Sequence, residues 1–188
     1  MIWKRSRQSS SPNWINRQIQ VSRGEDMITE RLEINRVTPK DKEDYFRNIS
    51  NDKKVLETFV CKYVEFLEEF DFEPYLKKED LFAIRMKETG KLIGIITFCD
   101  NNGESCEIGY GIGSDYWNNG YATEAVDAFI KYCFSDMNLK KVYASFFTGN
   151  EASKKVMEKC GIKYDHVVEK EFEYLGVERD LTYYVIEK

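Results

Sequence analysis

The sequence has 188 residues, of which 42% are hydrophobic and 32% charged, and this composition is typical of one folded globular domain. The formal net charge of −5 argues against a nucleic-acid partner, because nucleic-acid-binding proteins usually carry an excess of basic residues that neutralises phosphates. No apolar run is long enough to span a membrane, and none follows Lys4 and Arg5 as a secretory signal would require. We therefore expect neither a membrane nor a nucleic-acid partner.

The cysteines point to a reducing compartment. Their odd number and the lack of paired short spacings argue against both a disulfide framework and a zinc site. The five cysteines are Cys61, Cys99, Cys106, Cys133 and Cys160. We predict a cytoplasmic protein that holds no metal.

Residues 1–26 differ from the rest of the chain. They are rich in Ser, Gln, Asn and Arg and show no period, and they carry five basic and two acidic residues, which leaves a net charge of −8 on the remainder. We predict a disordered arm or tail over 1–26 and a folded domain over 27–188. An added tail, or a start codon assigned too early with Met27 as the true start, is favoured over an arm that binds an anionic partner.

The first folded segment combines a strand with helices. Leu32 and Ile34 alternate with polar neighbours, which predicts a strand. Thr38 and Pro39 are suited to the N-cap and first position of a helix, which we expect to continue to about Ile49. The mixed pattern of residues 51–70 predicts a second helix.

Strands dominate the remainder of the chain. Two further helices are predicted at about 120–135 and 150–160, and the Asp100–Gly103 sequence is a strong hairpin turn. The predicted strands are Leu81–Met86, Leu92–Phe98, Glu104–Ile112, Lys141–Phe147, Tyr164–Tyr174 and Arg179–Ile186. This order implies an α/β fold, with a mixed, mostly antiparallel sheet of about seven strands and helices on both faces.

The strand that ends at Ile112 has an unusual glycine pattern. Side chains alternate along a strand, so Glu107, Gly109 and Gly111 share one face. Glycine weakens a strand, and its usual justification is a bulge or the close approach of a ligand or another backbone. Because Gly113 and a loop follow at once, the pattern favours a ligand.

The loop from Trp117 to Ala125 leads into a helix that begins near Gly120. The first turn of a helix offers unpaired amides at the positive end of its dipole, which suits an anion such as pyrophosphate. Gly120 would let a phosphate approach the backbone, because it has no Cβ atom. The alternative is a plain helix start, capped by Asn118 or Asn119.

A second helix start follows the strand that ends at Phe147. Asn150 is a good N-cap, and Asn150 and Ser153 could also bond a polar ligand. A plain cap is the simpler interpretation of Asn150.

The Trp117–Ala125 segment closely resembles the acetyl-CoA pyrophosphate loop of the GNAT N-acetyltransferase superfamily, whose pattern is Q/R-x-x-G-x-G/A. Gly120 and Ala122 match the last two defined positions. Trp117 replaces the usual Gln or Arg, and Asn118 stands where glycine is common. Because such loops contribute mainly backbone amides, both departures are compatible with cofactor binding.

Other segments are similar to the ribosomal-protein N-terminal acetyltransferase branch of that superfamily. Thr29–Ile34 resembles its opening strand, and Glu107–Tyr110 resembles its fourth strand. Asn150 with Ser153, followed by Lys159–Ile162, resembles its Asn-x-x-Ser and Lys-x-Gly-Phe ending, with Ile in place of Phe. The resemblance extends from about residue 28 to the C-terminus.

The resemblance implies that acetyl-CoA is a co-substrate and that an amine attacks its thioester directly, without a covalent enzyme intermediate. It also implies that the fourth and fifth strands splay apart, so that the fourth strand's edge bonds the pantetheine arm. A backbone N–H near Ile108 to Tyr110 would stabilise the oxyanion. The expected cofactor-binding residues are Tyr110, Gly111, Ile112, Trp117, Asn118, Asn119, Gly120, Tyr121, Ala122, Thr123, Asn150 and Ser153.

The catalytic residues are less clearly marked. An amine with a pKa of about 8 to 10.4 needs help to lose its proton near neutrality. Glu107 is the candidate base, acting directly or through water, and the equal alternative is a structural or charge-binding carboxylate. Met157 stands where many relatives have a tyrosine acid. Either Ser153 replaces that acid, or the thiolate leaves unaided, since a thiol pKa is about 8.5.

The acceptor is predicted only as a class: a primary amine on a protein N-terminus or a small molecule. A set of aromatic residues at near-helical spacing is expected mostly to pack the core, although some of them could shape the acceptor pocket. The set is Phe59, Tyr63, Phe66, Phe70, Phe72 and Tyr75. The alternatives are a longer acyl-CoA donor and a non-catalytic acyl-CoA-binding module, and an exposed edge strand would permit a homodimer.

Overall fold

The computed structural model describes residues 26–188, so the predicted arm lies outside the described residues except for Asp26. An eight-stranded sheet with the order β1-β2-β3-β4-β5-β6-β8-β7 organises the chain. The strands are β1 Met27–Ile28, β2 Leu32–Arg36, β3 Leu81–Met86, β4 Leu92–Asn101, β5 Ser105–Ile112, β6 Lys141–Phe147, β7 Lys163–Tyr174 and β8 Val177–Glu187. Neighbouring strands are antiparallel except for β5 and β6, which are parallel.

Helices cover both faces of the sheet, as predicted. The α-helices are α1 Lys42–Tyr45, α2 Lys53–Leu56, α3 Glu73–Leu76, α4 Tyr121–Ser135 and α5 Glu151–Lys159. On β3, Phe82 and Ile84 point into a core beneath α4 and α5, whereas Leu81 and Ala83 point into a second core that contains Tyr45 of α1. The alternation of strand side chains thus gives each face its own core.

Three predictions of secondary structure need correction. The helix after Thr38 does start there, but as a 3-10 turn that continues through α1 into a π-helical segment, Phe46–Ser50. Residues 51–70 are not one helix: they contain only α2 and a 3-10 turn at Leu67–Glu69. The sheet has eight strands because the two-residue β1 pairs with β2.

Tertiary hydrogen bonds explain why residues 51–70 do not form a helix. The Val64 amide donates to the Ser50 carbonyl at 3.0 Å, which closes a loop across this segment. The Asn51 side chain donates to the carbonyls of Val64 and Glu65 at 2.8 and 3.1 Å. These bonds pair backbone groups of the segment in a looped conformation. The segment therefore does not form the helix that the spacing of its aromatic residues suggested.

Within residues 26–188, no helix is long and apolar enough to cross a membrane. The same residues contain no group of three or more His, Cys, Asp or Glu side chains placed to hold a metal ion.

A buried ion pair joins the first helical segment to the sheet. Arg85 on β3 donates from Nε and Nη2 to the Asp41 carboxylate at 3.1 and 2.5 Å, and Arg85 also bonds Asn35 on β2. The Thr38 amide and hydroxyl donate to the same carboxylate at 2.6 and 2.9 Å. Asp41 and Arg85 are 4% and 8% exposed. Loss of one partner would leave the other charge buried without compensation.

We expect Asp41→Ala to lower the free energy of unfolding by about 3 to 5 kcal/mol, because the Arg85 guanidinium would stay buried without its carboxylate. Urea denaturation measures this loss. The control is Asp127→Ala, which removes an exposed pair with Lys131 at 2.7 Å and should change stability by less than about 0.5 kcal/mol. Equal effects of the two substitutions would contradict the role assigned to Asp41.

Candidate active site

The strands β5 and β6 part in the middle of the sheet. Their parallel ladder runs from the Ser105–Lys141 pair to the Ile108–Ala144 pair. Beyond it, β5 stays paired with β4 as far as Ile112, and β6 stays paired with β8 as far as Phe147. The two strands therefore splay at this point, as the resemblance implied, and the edge of β5 from Gly109 to Ile112 is open.

A small cavity of about 50 Å³ lies where the strands part. Gly109 and Tyr110 line it from β5, Ser145 lines it from β6, and Ser153 lines it from α5. Three sequence-predicted features therefore meet here: the glycine-bearing strand, the candidate oxyanion backbone and the Asn-x-x-Ser helix start.

The start of α4 lies beyond the end of the open edge. Gly120 is its N-cap with φ +79°, Asn118 has φ +63°, and no side chain of the described residues caps the helix. Asn119 donates its side-chain amide back to the carbonyls of Tyr116 and Trp117, at 3.2 and 2.8 Å. The alternative of a plain helix start capped by either asparagine is thus not what forms.

Trp117 ties this loop to the open strand. Its indole N–H donates to the Ile112 carbonyl at 2.6 Å. Trp117, which replaces the Gln or Arg of the family pattern, therefore positions the loop through its side chain. It also occupies one carbonyl on the strand edge.

Arg31 ties the same loop to β2, a role that sequence reasoning missed. Its Nη1 donates to the Asn119 carbonyl at 2.9 Å, and its Nε and Nη2 contact the Glu124 carboxylate at 2.7 and 2.6 Å. The Thr29 hydroxyl donates to Glu124 at 2.5 Å, and the Arg31 guanidinium lies over the Tyr121 ring at 4.6 Å. A cation beside a helix start adds to its attraction for an anion.

Glu107 is buried at 8% exposure beside Ser145. The Ser145 hydroxyl donates to Glu107 Oε1 at 2.7 Å. Because Ser145 also lines the small cavity, it links the buried carboxylate to that space. Sequence reasoning missed Ser145, which lies on a neighbouring strand 38 residues away.

The two helix-start residues have different surroundings. The Asn150 side-chain oxygen accepts from the Ser153 amide at 3.1 Å, so Asn150 caps α5. The Tyr110 hydroxyl donates to the Ser153 carbonyl at 3.3 Å, and burial raises the pKa of that hydroxyl. Met157, at the position of the usual tyrosine acid, is fully buried in the core beneath α4.

A larger cavity of about 310 Å³ adjoins the small one, and Phe59, Val60 and Phe172 line both. The Tyr174 hydroxyl on β7 donates to the carbonyls of Phe59 and Cys61, at 3.3 and 3.4 Å. These bonds hold residues 59–61 against β7. Of the predicted aromatic set, Phe59, Phe70 and Tyr75 line the cavity. The others are Phe72, which packs in the second core, and the exposed Tyr63 and Phe66.

The predicted site residues therefore fall into two groups on one path. Trp117 to Thr123 and Ile112 lie at the loop and helix start, whereas Tyr110 and Ser153 meet at the small cavity, with Glu107 behind Ser145. The open edge of β5 connects the two groups.

Comparisons with known proteins show the family of the chain. Residues 31–163 match the family model of the acetyltransferase (GNAT) domain. The uncharacterized N-acetyltransferase YoaA of Bacillus subtilis is 30% identical over 179 residues, which cover 85% of this chain and 95% of YoaA. A GNAT-family acetyltransferase structure from Bacillus anthracis superimposes with a TM-score of 0.77 at 28% identity, covering 87% of this chain and 98% of that one.

The ribosomal-protein-S5-alanine acetyltransferase structure from Vibrio fischeri has a TM-score of 0.75 at 18% identity, covering 87% of this chain and 97% of that one, and it shows the fold alone. The splayed sheet is the arrangement that the resemblance to the GNAT superfamily implied. The chain belongs to the GNAT acetyltransferase family, and it is an acetyl-CoA-dependent acetyltransferase.

The Glu124 tether should depend on pH. Burial of the Glu124 carboxyl opposes its ionisation, but hydrogen bonds from Thr29 and Arg31 outweigh burial and lower its pKa below the ordinary 4.5. A carboxyl whose pKa is lowered by folding stabilises the protein above its unfolded pKa, and this contribution is lost as the pH falls. Wild type should therefore exceed Glu124→Gln in stability near neutrality, and the difference should shrink as the pH falls below about 4.5.

Urea denaturation of both proteins across this pH range measures the difference. Asp127→Asn, on the same helix in an exposed ion pair, is the control and should differ little from wild type at any pH. A difference for Glu124→Gln that does not change with pH would contradict the ionic tether.

Proposed function

We propose that this protein transfers an acetyl group from acetyl-CoA to a primary amine, on a protein N-terminus or a small molecule, by direct attack in a ternary complex. The observation that carries the proposal is the parting of β5 and β6 after Ile108 and Ala144, which opens a strand edge toward the start of α4. A cytoplasmic location and a folded domain over residues 27–188 stay predictions from the sequence.

The residues at the loop fit a pyrophosphate. Among residues 26–188, a Cβ atom added to Gly120 would meet Arg31 Nη2 at 3.5 Å and no other heavy atom within 4 Å, so the backbone there is open to a close approach. The amides of Tyr121, Ala122 and Thr123 begin the helix and lack intrahelical acceptors. Arg31 supplies a nearby positive charge, part of which Glu124 offsets.

The backbone of Tyr110, Gly111 and Ile112 would hold the pantetheine arm as an added strand would be held. The Trp117 indole already takes the Ile112 carbonyl, and the backbone groups of Gly111 face Ile95 of β4. We therefore assign this arm mainly to the amide and carbonyl of Tyr110 and to the Ile112 amide. Bound acetyl-CoA would supply an activated thioester. The Gly109–Tyr110 backbone lines the small cavity, which supports its proposed role as an oxyanion donor.

Glu107 and Ser145 would remove the proton of the attacking amine. Ser145 lines the cavity and donates to Glu107 at 2.7 Å, so Ser145 can accept a proton from the amine while it passes its own to the carboxylate. Ser153 is the proposed acid for the leaving thiolate, and Tyr110 would position Ser153 by donating to its carbonyl. Asn150 would act mainly by capping the helix that carries Ser153.

Calorimetry of acetyl-CoA binding tests the loop. We expect Gly120→Trp to raise the Kd at least about 10-fold, because an indole would fill the phosphate position. Gly103→Trp is the matched control: Gly103 has φ +84° and open space around it, but it lies in the β4–β5 hairpin turn. If both variants bind like wild type, the loop is not the cofactor site. If folded wild type does not bind, the proposed function fails.

Steady-state kinetics tests the base. Glu107→Gln should lower kcat about 100-fold, because the amide cannot accept the proton, whereas the Kd for acetyl-CoA should stay unchanged. Ser145→Ala should act in the same direction. The control is Glu104→Gln on the same hairpin, which removes only an exposed pair with Lys140 and should keep wild-type kcat. A wild-type kcat for Glu107→Gln, with or without lost stability, would leave Glu107 a structural carboxylate.

A further inference from the structure

The two adjoining cavities divide the acceptor side of the site into a reaction space and a larger chamber. The small cavity holds Ser145 and the open backbone of β5, which are polar. The large cavity, of about 310 Å³, is of the size that encloses a small ligand. Because Phe59, Val60 and Phe172 line both, a molecule seated in the large cavity borders the reaction space directly.

The interior of the large cavity is aromatic and apolar. Tyr45, Phe59, Phe70, Tyr75 and Phe172 supply five aromatic side chains to its wall. The Tyr45 and Phe70 rings stack at 5.8 Å, and Tyr75 lies 4.8 Å from Tyr45, so these three rings form one continuous part of the wall. Such a surface binds an apolar body by the hydrophobic effect.

The ionisable groups of this interior are uncharged at neutral pH. Burial raises the pKa of Tyr45 and Tyr75. Burial, together with the negative charge of Asp52, raises the pKa of the Cys61 thiol to about 12. No carboxylate in the part of the chain that the structure describes therefore lines this interior, and Asp52, whose charge acts on Cys61, lies outside the lining.

The charged groups that line the cavity stand at its exposed mouth, and they are mostly positive. They are Lys62, Lys78 and Asp71. Two cations against one anion disfavour a ligand that carries several ammonium groups. A ligand with one ammonium group, which loses its proton in the reaction space, meets this repulsion least.

From these contacts we infer that the acceptor is a primary amine carried on an apolar body of aromatic size, and not a polyamine. Its body would occupy the large cavity, and its nitrogen would reach past Phe59 to Ser145. An arylalkylamine is the simplest such molecule, and a protein N-terminus that begins with an aromatic residue presents the same chemistry. The inference rests on the proposed function, since it names the acceptor class of that site.

An acceptor panel tests it by thiol release. Phenethylamine and ethylamine share the ammonium and differ by the phenyl group, whose burial should raise kcat/KM about 10- to 100-fold. Spermidine should be a poorer acceptor than phenethylamine. The panel also includes a short peptide that begins with Phe. Better turnover of the peptide than of phenethylamine would identify the acceptor as a protein N-terminus with an aromatic first residue, which supports the inference. Equal rates for phenethylamine and ethylamine, or a preference for spermidine, overturn the inference.

A matched pair of charge variants tests whether the charges at the mouth of the large cavity disfavour polyamines. Lys78→Glu should raise kcat/KM for spermidine about 3- to 10-fold and change that for phenethylamine less than about 2-fold. Lys77→Glu makes the same charge change at the adjacent exposed position, outside the lining of the cavity, and should leave both values near wild type. Equal effects of the two variants on spermidine contradict a role for the mouth in selecting charge.

Protection of Cys61 separates this inference from the proposed function. Cys61 lines the large cavity, whereas Cys160, whose pKa burial and the charge of Asp127 raise to about 11, packs at the opposite face. The assay is run at about pH 9 over hours, because alkylation by iodoacetamide requires the thiolate, which a raised pKa makes scarce near neutrality. Phenethylamine should slow alkylation of Cys61, followed by mass spectrometry, and leave that of Cys160 unchanged, whereas spermidine should protect neither. If phenethylamine protects Cys61 but the protein does not bind acetyl-CoA, the proposed function is wrong and the larger cavity is still a site for an apolar amine. Acetyl-CoA binding without protection of Cys61 by phenethylamine overturns the inference.

Discussion

The parting of β5 and β6 is the constraint on which the rest of the site depends. Each strand keeps a full ladder on its other side, with β4 and with β8, so the sheet stays intact while one internal edge opens. An open edge inside a sheet would normally leave backbone groups unpaired. It is therefore suited to a ligand that can pair as a strand does. The glycines of β5 have a different role from the predicted one, because they make room for protein side chains: a Cβ atom on Gly109 would meet Cys99 Sγ at 2.9 Å, and one on Gly111 would meet the Phe59 ring at 3.1 Å.

The helix start at the end of this edge is held by side chains that leave its amides free. Trp117 bonds the Ile112 carbonyl, and Arg31 bonds the Asn119 carbonyl, so both anchors use carbonyls and neither uses the amides of the first turn. Glu124 locks Arg31 in place from within the same helix. The loop is thus rigid without being capped, which is the condition for binding an anion at low conformational cost.

Local patterns were sufficient for most of the sheet and for α4 and α5. The strands carry alternating or continuous apolar runs, and α4 and α5 have clear starts and were predicted within one residue. The same reasoning was wrong for residues 51–70, because aromatic spacing suggested a helix where bonds from Asn51 and Val64 hold a loop. That loop carries Phe59 and Val60, so the error falls on the wall shared by the two cavities.

The sequence by itself determined the family and the order of most of the elements, because each of these depends on patterns among neighbouring residues. Only the tertiary structure decided which side chains act together. Ser145 reaches Glu107 across 38 residues, and Arg31 reaches Glu124 across 93. The charge and aromatic character of the larger cavity arise in the same way, from segments that the sheet brings together. No local period records such pairings, since they depend on how the strands are ordered and where β5 and β6 separate.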